Sequence, residues 1–340
     1  MILDYFELLL ILLLTIFLIK VFSYFSYSVN LIDRPCNRKI HDGDVPNIGG
    51  VSIFLGLISA LMWTSLISDN LALISAMGII IIIGIADDYR GLSTTIRIFS
   101  QIIAVLIISL DGYLIENLGY ILYFFEFKLG LLALFFTIFG VIGIINAVNM
   151  SDGIDGLASI NSLIILGFIS FFALKAGNYN ILNFSIIIMV NLVGFLLFNL
   201  GFFGKANKIF LGDAGSTFLG FVISVFLIGL TQSSAEHLPP ITALWLVAFP
   251  VIETLSIILM RIKKGISPFQ AGRDHLHHIL LDRNFSKYKT LSIILALSLI
   301  LNIMGIVLSN LNTPHALMFM LFVLAFTLYH KFIMNYANDQ

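Results

Sequence analysis

The stretch GLLALFFTIFGVIGIINAVNMSDGIDGLASINSLIILGFISFFALK, residues 130–175, decides how the chain is read. Two apolar runs, near 131–148 and 157–175, each approach the roughly 20 residues that a helix needs to cross a bilayer. Between them lie Asn146, Asn149, Asp152 and Asp155 at three-residue intervals, where the first run should simply have ended. That spacing places the four side chains on one face if the segment is helical, although Gly153 and Gly156 argue that the helix frays and bares its amides. Carboxylates, carboxamides and free amides together suit a hard cation and a polar ligand.

Working outward, the pattern repeats along all 340 residues, with 59% hydrophobic and 11% charged. A soluble domain carries about 45–50% apolar and about 25% charged residues, so a mean hydropathy of +1.04 marks a polytopic membrane protein. Apolar runs lie near 5–28, 48–67, 71–86, 95–110, 131–148, 157–175, 181–200, 214–231, 239–260, 290–309 and 314–333, which predicts an all-α protein of eleven transmembrane helices. They leave no room for a separate soluble domain, so residues 1–340 are read as one integral-membrane domain. Asp4 and Glu7 precede the first run in place of a basic region, so that run is read as a retained span.

Fourteen of the eighteen Lys and Arg fall in the connections after spans one, three, five, seven and nine, leaving Lys20, Lys128, Lys175 and Lys331 elsewhere. The positive-inside rule then puts the N-terminus outside and the C-terminus in the cytoplasm. The opposite connections are short turns, except that Gly112, Gly119 and Gly130 punctuate a Tyr/Phe/Ile-rich segment, 111–130, expected as a small external hairpin. A net charge of −1 gives no sign of nucleic acid, and the single Cys36 permits no intrachain disulfide and no metal spacing.

The polar residues thus collect on the cytoplasmic side, in loops near 29–47, 87–95, 146–157, 201–216 and 261–289. In the first, Arg38 and His41 precede Gly49 and Gly50, whose amides open a helix where a backbone could approach an anion. In the second, Asp87 and Asp88 adjoin at the end of an apolar helix, and adjacent carboxylates there call for a cation or a protonation change. Arg97 enters the next span, free to hold a phosphate or to snorkel. In the fourth, Asp213 stands between Gly212 and Gly215, suited to a divalent ion or to a helix N-cap, with Phe210 three residues before it. The fifth packs Arg273, Asp274, His275, His277 and His278 into six residues. Zinc is one reading of the histidines, but without cysteines an Arg/His patch for diphosphate fits better. Glu253, inside span nine, is an intramembrane acid and functional by default, its partner not readable.

The segments RPCNRKIHDGDVPNIGG, ADDYRGL, NAVNMSDGIDGL, FLGDAGS and SPFQAGRDHLHH, in this order, resemble those of the polyprenyl-phosphate N-acetylhexosamine-1-phosphate transferases from about residue 30 to residue 280. The histidine segment is similar to the WecA-like branch, which starts O-antigen and related surface glycans, and differs from the peptidoglycan branch. The resemblance implies that undecaprenyl phosphate attacks the β-phosphorus of a UDP-N-acetylhexosamine in the bacterial inner membrane, on its cytoplasmic face, releasing UMP. It implies N-acetylglucosamine as the sugar, with N-acetylgalactosamine, a 6-deoxy-N-acetylhexosamine or the muramoyl-pentapeptide as alternatives, and it allows a homodimer. It further implies Mg²⁺, with Mn²⁺ as the alternative, on Asp213 and Asn149; uridine contacts from Asp152, Gly153 and Asp155; and Phe210 as the uracil-stacking ring. Asp87 and Asp88 match the acidic pair, the first the better proton acceptor, and Arg97 matches a diphosphate contact. Arg273, His275, His277 and His278 would meet phosphates or sugar, while Arg38 and His41 fall in the family's first loop without a fixed role. Where some members carry a further Asp or Lys after the acidic pair, this chain has Gly91. With no activated nucleophile evident, direct attack is expected rather than a phospho-aspartyl intermediate. A multi-span transporter is the competing class, but its acids would be expected near mid-membrane in paired halves.

Overall fold

A computed structural model describes residues 3–35, 43–64, 66–232, 238–267 and 272–338. Arg38 and His41 lie outside the described residues. The helices are α1 (Tyr5–Ser26), α2 (Gly49–Trp63), α3 (Leu71–Arg90), α4 (Thr94–Leu110), α5 (Ala133–Met150), α6 (Leu157–Lys175) and α7 (Tyr179–Asn199). They continue as α8 (Gly212–Thr231), α9 (Pro240–Leu246), α10 (Ala248–Lys263), α11 (Leu276–Asp282), α12 (Lys287–Asn310) and α13 (His315–Asn338). A two-stranded antiparallel ribbon, β1 (Ile32–Asp33) with β2 (Val45–Pro46), joins α1 to α2.

Every apolar run read from the sequence contains helix. Among the described residues eight helices are long and apolar enough to cross a membrane, and α9 with α10 makes a ninth if the pair is one span. That pair corrects the expected continuous span 239–260, because the helix breaks at Val247 and bends by 77°. Pro250 is the third residue of α10, in the first turn, where its missing N–H costs no helical bond. The remaining two, α2 with 15 residues and α4 with 17, reach only about 23 and 26 Å at 1.5 Å per residue. A second correction concerns α3, which does not stop at its acids but runs through Asp87 and Asp88 to Arg90, ending where Gly91 takes φ 65°.

At the centre stands α8, apolar and buried on almost every side, with Phe218, Phe221 and Phe226 inaccessible. It packs chiefly against α3 and α5, and also against α2 and α6. Outer helices turn apolar residues outward instead, such as Leu9, Leu13 and Phe17 of α1 and Leu324 and Leu328 of α13. Between helices polar side chains pair: Thr15 donates to Asn191 at 2.6 Å, and Ser298 to Asn161 at 2.6 Å.

The connections sort into two sets. On one side, Asn70 and Asn180 exchange amide bonds, Gln232 accepts from the amides of Glu116 and Asn117, and Tyr120 donates to His315. Here Asn117 bridges Lys128 in an antiparallel turnback within 111–130, as a hairpin requires. On the other side the acid-bearing loops meet one another.

Candidate active site

The site is organised by the first turn of α8. Asp88, from the last turn of α3, accepts the N–H of Asp213 at 2.9 Å on one oxygen and that of Ala214 at 3.1 Å on the other. A carboxylate on two free amides at a helix N-terminus is favourable both as hydrogen bonding and as charge against the dipole. Glycine is required just before: Gly212 takes φ 73°, and any side chain there would meet the Asp88 carboxylate. Asp88 therefore fixes where Asp213 points.

From the end of α5, Asn149 donates to Asp213 Oδ1 at 2.7 Å and to Ser216 Oγ at 2.9 Å. Among the described residues no donor reaches Asp213 Oδ2, and the Asn149 carboxamide brings an oxygen to the same turn. This oxygen-only set, with a second carboxylate, Asp88, close by, fits a hard divalent cation whose remaining positions go to water and phosphate. A softer metal would find no nitrogen or sulfur here.

Asp152 and Asp155 sit in the loop after α5, which ends at Gly156. Asp152 faces an open recess yet is crowded by protein. Burial first, then the like charges of Asp213 and Asp155, pushes its carboxyl up to about 7. Asp155 pairs with Lys208 at 2.7 Å, and the same ammonium lies over the Phe210 ring, 5.0 Å from its centre. The strand-like run carrying Phe210 is docked by backbone: Phe210 N donates to Pro46 O, and the amides of Gly49 and Gly50 donate to Phe210 O and Leu211 O. Those two glycine amides are thus spent, which corrects the expectation that they receive an anion.

Asp87 and Arg97, assigned separate roles from sequence, are partners at 3.1 Å. The other Asp87 oxygen accepts Leu92 N at 2.6 Å. Arg97 Nε, buried, has no acceptor among the described residues.

The histidine segment closes another wall. His275 and His277 are buried with their rings stacked 5.5 Å apart, and His278 is half-buried. Burial, opposed by Glu253, brings His277 down to about 3, so its imidazole is neutral. Gly153 lies against that ring, and a side chain at 153 would overlap it. Glu253 of α10 accepts Leu276 N at 2.9 Å and Tyr329 Oη–H at 3.4 Å, with His275 Nδ1 at 3.7 Å. Its partner, unreadable from sequence, is this segment. Donor atoms of Glu253, His275 and His277 all lie within 4.8 Å of one another, a buried group able to hold a metal ion. Arg273 instead pairs with Asp282 at 3.0 Å, half-exposed and not itself among the residues lining the recess.

All this borders one recess of about 1210 Å³. Its polar end is lined by Asp88, Arg97, Asn149, Asp152, Gly153, Asp155, Phe210, Asp213, His275, His277 and His278. Its other end is apolar, running along Ile98 and Ile102 of α4, Phe135, Ile138, Phe139 and Ile142 of α5, and Leu244, Val251, Leu255 and Ile258 of α9 and α10. Lys208, Arg261 and Lys287 also line it, although sequence reading counted them only as topogenic charge. Arg261 is buried, paired with Asp274 at 3.0 Å. Five carboxylates (Asp33, Asp88, Asp152, Asp155, Asp213) face four cations (Arg97, Lys208, Arg261, Lys287), so an anionic ligand would need further positive charge.

The family described as Glycosyl transferase family 4 matches residues 70–231. Over 307 residues the chain is 32% identical to the undecaprenyl-phosphate alpha-N-acetylglucosaminyl 1-phosphate transferase of Yersinia pestis, covering 89% of this chain and 84% of that one. Proteins of the same name from Haemophilus influenzae and Pasteurella multocida are 36% and 35% identical, over 88% and 89% of this chain and 86% of each relative.

Proposed function

Because the chain belongs to the family of the undecaprenyl-phosphate alpha-N-acetylglucosaminyl 1-phosphate transferases, we propose that it transfers N-acetylglucosamine 1-phosphate from UDP-N-acetylglucosamine to undecaprenyl phosphate, releasing UMP. One observation carries this reading on the structural side: a single recess joins a carboxylate- and cation-lined end to an apolar groove between helices. One substrate is water-soluble and anionic, the other a lipid with an anionic head, and such a recess suits both. A transporter has no comparable need for a one-ended polar chamber opening sideways onto apolar helix faces.

The fourteen clustered cations support a polar end at the cytoplasmic face of the bacterial inner membrane. Eleven crossings, with the N-terminus outside and the C-terminus inside, follow if α2 and α4 cross where the bilayer thins around the recess. Residues 1–340 then form one transferase domain. Asp213 and Asn149 would hold Mg²⁺, which supplies charge neutralisation between the anionic reactants and on departing UMP. Asp88 holds the start of α8, so Asp213 is presented without rearrangement. Asp87 orients Arg97, whose Nε then reaches the diphosphate; with both oxygens bonded, Asp87 is poorly placed to accept a proton. That role passes to Asp152, whose raised carboxyl matches the second ionisation of a lipid phosphate, the proton moving to a carboxylate oxygen. Phe210, Asp155 and Lys208 form the nucleoside end, and His278 borders the sugar and phosphates.

Purified protein with labelled UDP-N-acetylglucosamine, undecaprenyl phosphate and Mg²⁺ should yield a lipid-extractable sugar diphosphate and UMP. Exchange of labelled UMP into UDP-sugar without lipid should be absent if attack is direct. No lipid-linked product from any UDP-N-acetylhexosamine would overturn the proposal.

A further inference from the structure

Glu253, His275 and His277 meet behind the histidine segment that lines the recess, and nothing in the transfer reaction requires a buried acid there. Glu253 and His277 are each 2% exposed and His275 is 7%. An ionised carboxylate so deep costs free energy unless cations or donors surround it. Its donors, Leu276 N–H and Tyr329 Oη–H, converge on Oε1, leaving Oε2 free of any hydrogen bond among the described residues. His277 has neither ring nitrogen bonded, and His275 Nδ1 makes only the 3.7 Å contact with Glu253 Oε1, too long for a hydrogen bond. Buried nitrogens without partners are rare and point to a ligand that completes them.

We propose that Glu253, His275 and His277 form a second, chemically distinct metal site, selective for a borderline divalent ion such as Zn²⁺. Two imidazoles and one carboxylate constitute a donor set that zinc uses with three protein ligands and one open position. Magnesium avoids such nitrogen donors, so this site and the oxygen-only one at Asp213 would discriminate between metals. Donors now within 4.8 Å of one another would close to roughly 3.4 Å around a tetrahedral zinc, a change within reach of side-chain rotation. The Leu276 and Tyr329 bonds to Glu253 are the outer contacts that orient a ligating carboxylate. The consequence is mechanical: His277 abuts Gly153, next to Asp152, so an ion here would pin the histidine segment to α10 and brace the catalytic loop. This inference goes beyond the transferase reading and stands or falls without it.

The test is metal stoichiometry on full-length protein in detergent, stripped with chelator and then offered Zn²⁺ alone or Co²⁺ alone in the presence of excess Mg²⁺. Close to one equivalent of Zn²⁺ should be retained after desalting, Co²⁺ should give visible d–d absorption, and Zn²⁺ should raise the melting temperature. Glu253→Gln and His277→Gln should each lower the affinity by at least 10-fold and abolish the Co²⁺ spectrum, while Asp213→Asn leaves both intact. Because the wild-type measurement needs no variant to fold, it is decisive alone. Retention of no Zn²⁺ by wild type, or equal retention by His277→Gln, overturns the proposal and leaves a His275–Glu253 ion pair as the occupant of the cluster.

Discussion

Replacing Asp88 by Asn separates a clamp on α8 from a group that handles protons. In the native arrangement both carboxylate oxygens accept backbone amides, from Asp213 and Ala214, at 2.9 and 3.1 Å. Hydrogen bonds to a charged group contribute about 1.5–3 kcal/mol each. Asparagine keeps one carbonyl acceptor, now neutral, and turns its NH₂ toward the other amide. One bond is lost and the second weakened, for a cost of about 2–3 kcal/mol borne by the first turn of α8. At 1.36 kcal/mol per decade this corresponds to roughly 30- to 150-fold in the population of correctly placed Asp213. The Mg²⁺ concentration for half-maximal rate should rise by up to that factor, and saturating Mg²⁺ should recover most of kcat. The assay is initial rate of UMP release against Mg²⁺ at fixed, saturating substrates. An unchanged Mg²⁺ requirement with kcat reduced and the acid limb of the pH profile altered would show that Asp88 acts on a proton, and the clamp argument would be refuted.

Three further outcomes follow from the geometry. Gly143 of α5 lines the apolar groove with open space where a side chain would project, so Gly143→Phe should leave folding and the KM for UDP-N-acetylglucosamine unchanged while raising that for undecaprenyl phosphate at least 10-fold; equal effects on both KM values would place the lipid elsewhere. Gly153→Ala forces a methyl group into the His277 ring and should cost about 1–3 kcal/mol by overpacking, read as a lower melting temperature that His277→Ala partly restores in the double variant. Asp152 must be ionised to accept a proton, and its carboxyl is pushed up to about 7 partly by the bare charge of Asp213; with Mg²⁺ offsetting that charge, kcat/KM should fall tenfold per pH unit along an acid limb lying below that value. Asp152→Asn should lower kcat by about 100- to 10,000-fold and remove the limb, whereas persistence of the limb would assign it to another group.

What sequence could and could not convey divides along physical lines. Span positions were legible because a bilayer imposes length and apolarity locally, and the hairpin at 111–130 because its glycines mark turns. The break at Val247 is hidden when 239–260 is taken as one apolar run, although proline in a first turn is a start signal, at Pro250 in α10 as at Pro240 in α9. Gly91 held the corresponding clue that α3 continues past its acids. Tertiary partners left no local trace. Arg273 and Lys208 are equally cationic on paper, yet one pairs with Asp282 at the surface and the other with Asp155 in the recess. Asp88 and Asp213 are 125 positions apart, and nothing along the chain says that one caps the helix bearing the other.

The clustering of acids follows from the same constraint. A carboxylate within a membrane protein is tolerated where donors or cations answer it. Asp88 is answered by two helix amides, Asp87 by Arg97 and Leu92 N, Asp155 by Lys208, and Asp274 by Arg261. Asp213 is answered on one oxygen only, and Asp152 is left with neighbouring negative charge and a carboxyl near neutrality. Among the recess carboxylates with described partners, the two least satisfied are the two to which the proposed function assigns reactive roles, one toward a cation and one toward a proton. An arrangement stable in itself would have paired them as it paired the others; leaving both open at the mouth of an apolar groove makes the arriving diphosphate, its counter-ion and the lipid head the missing partners.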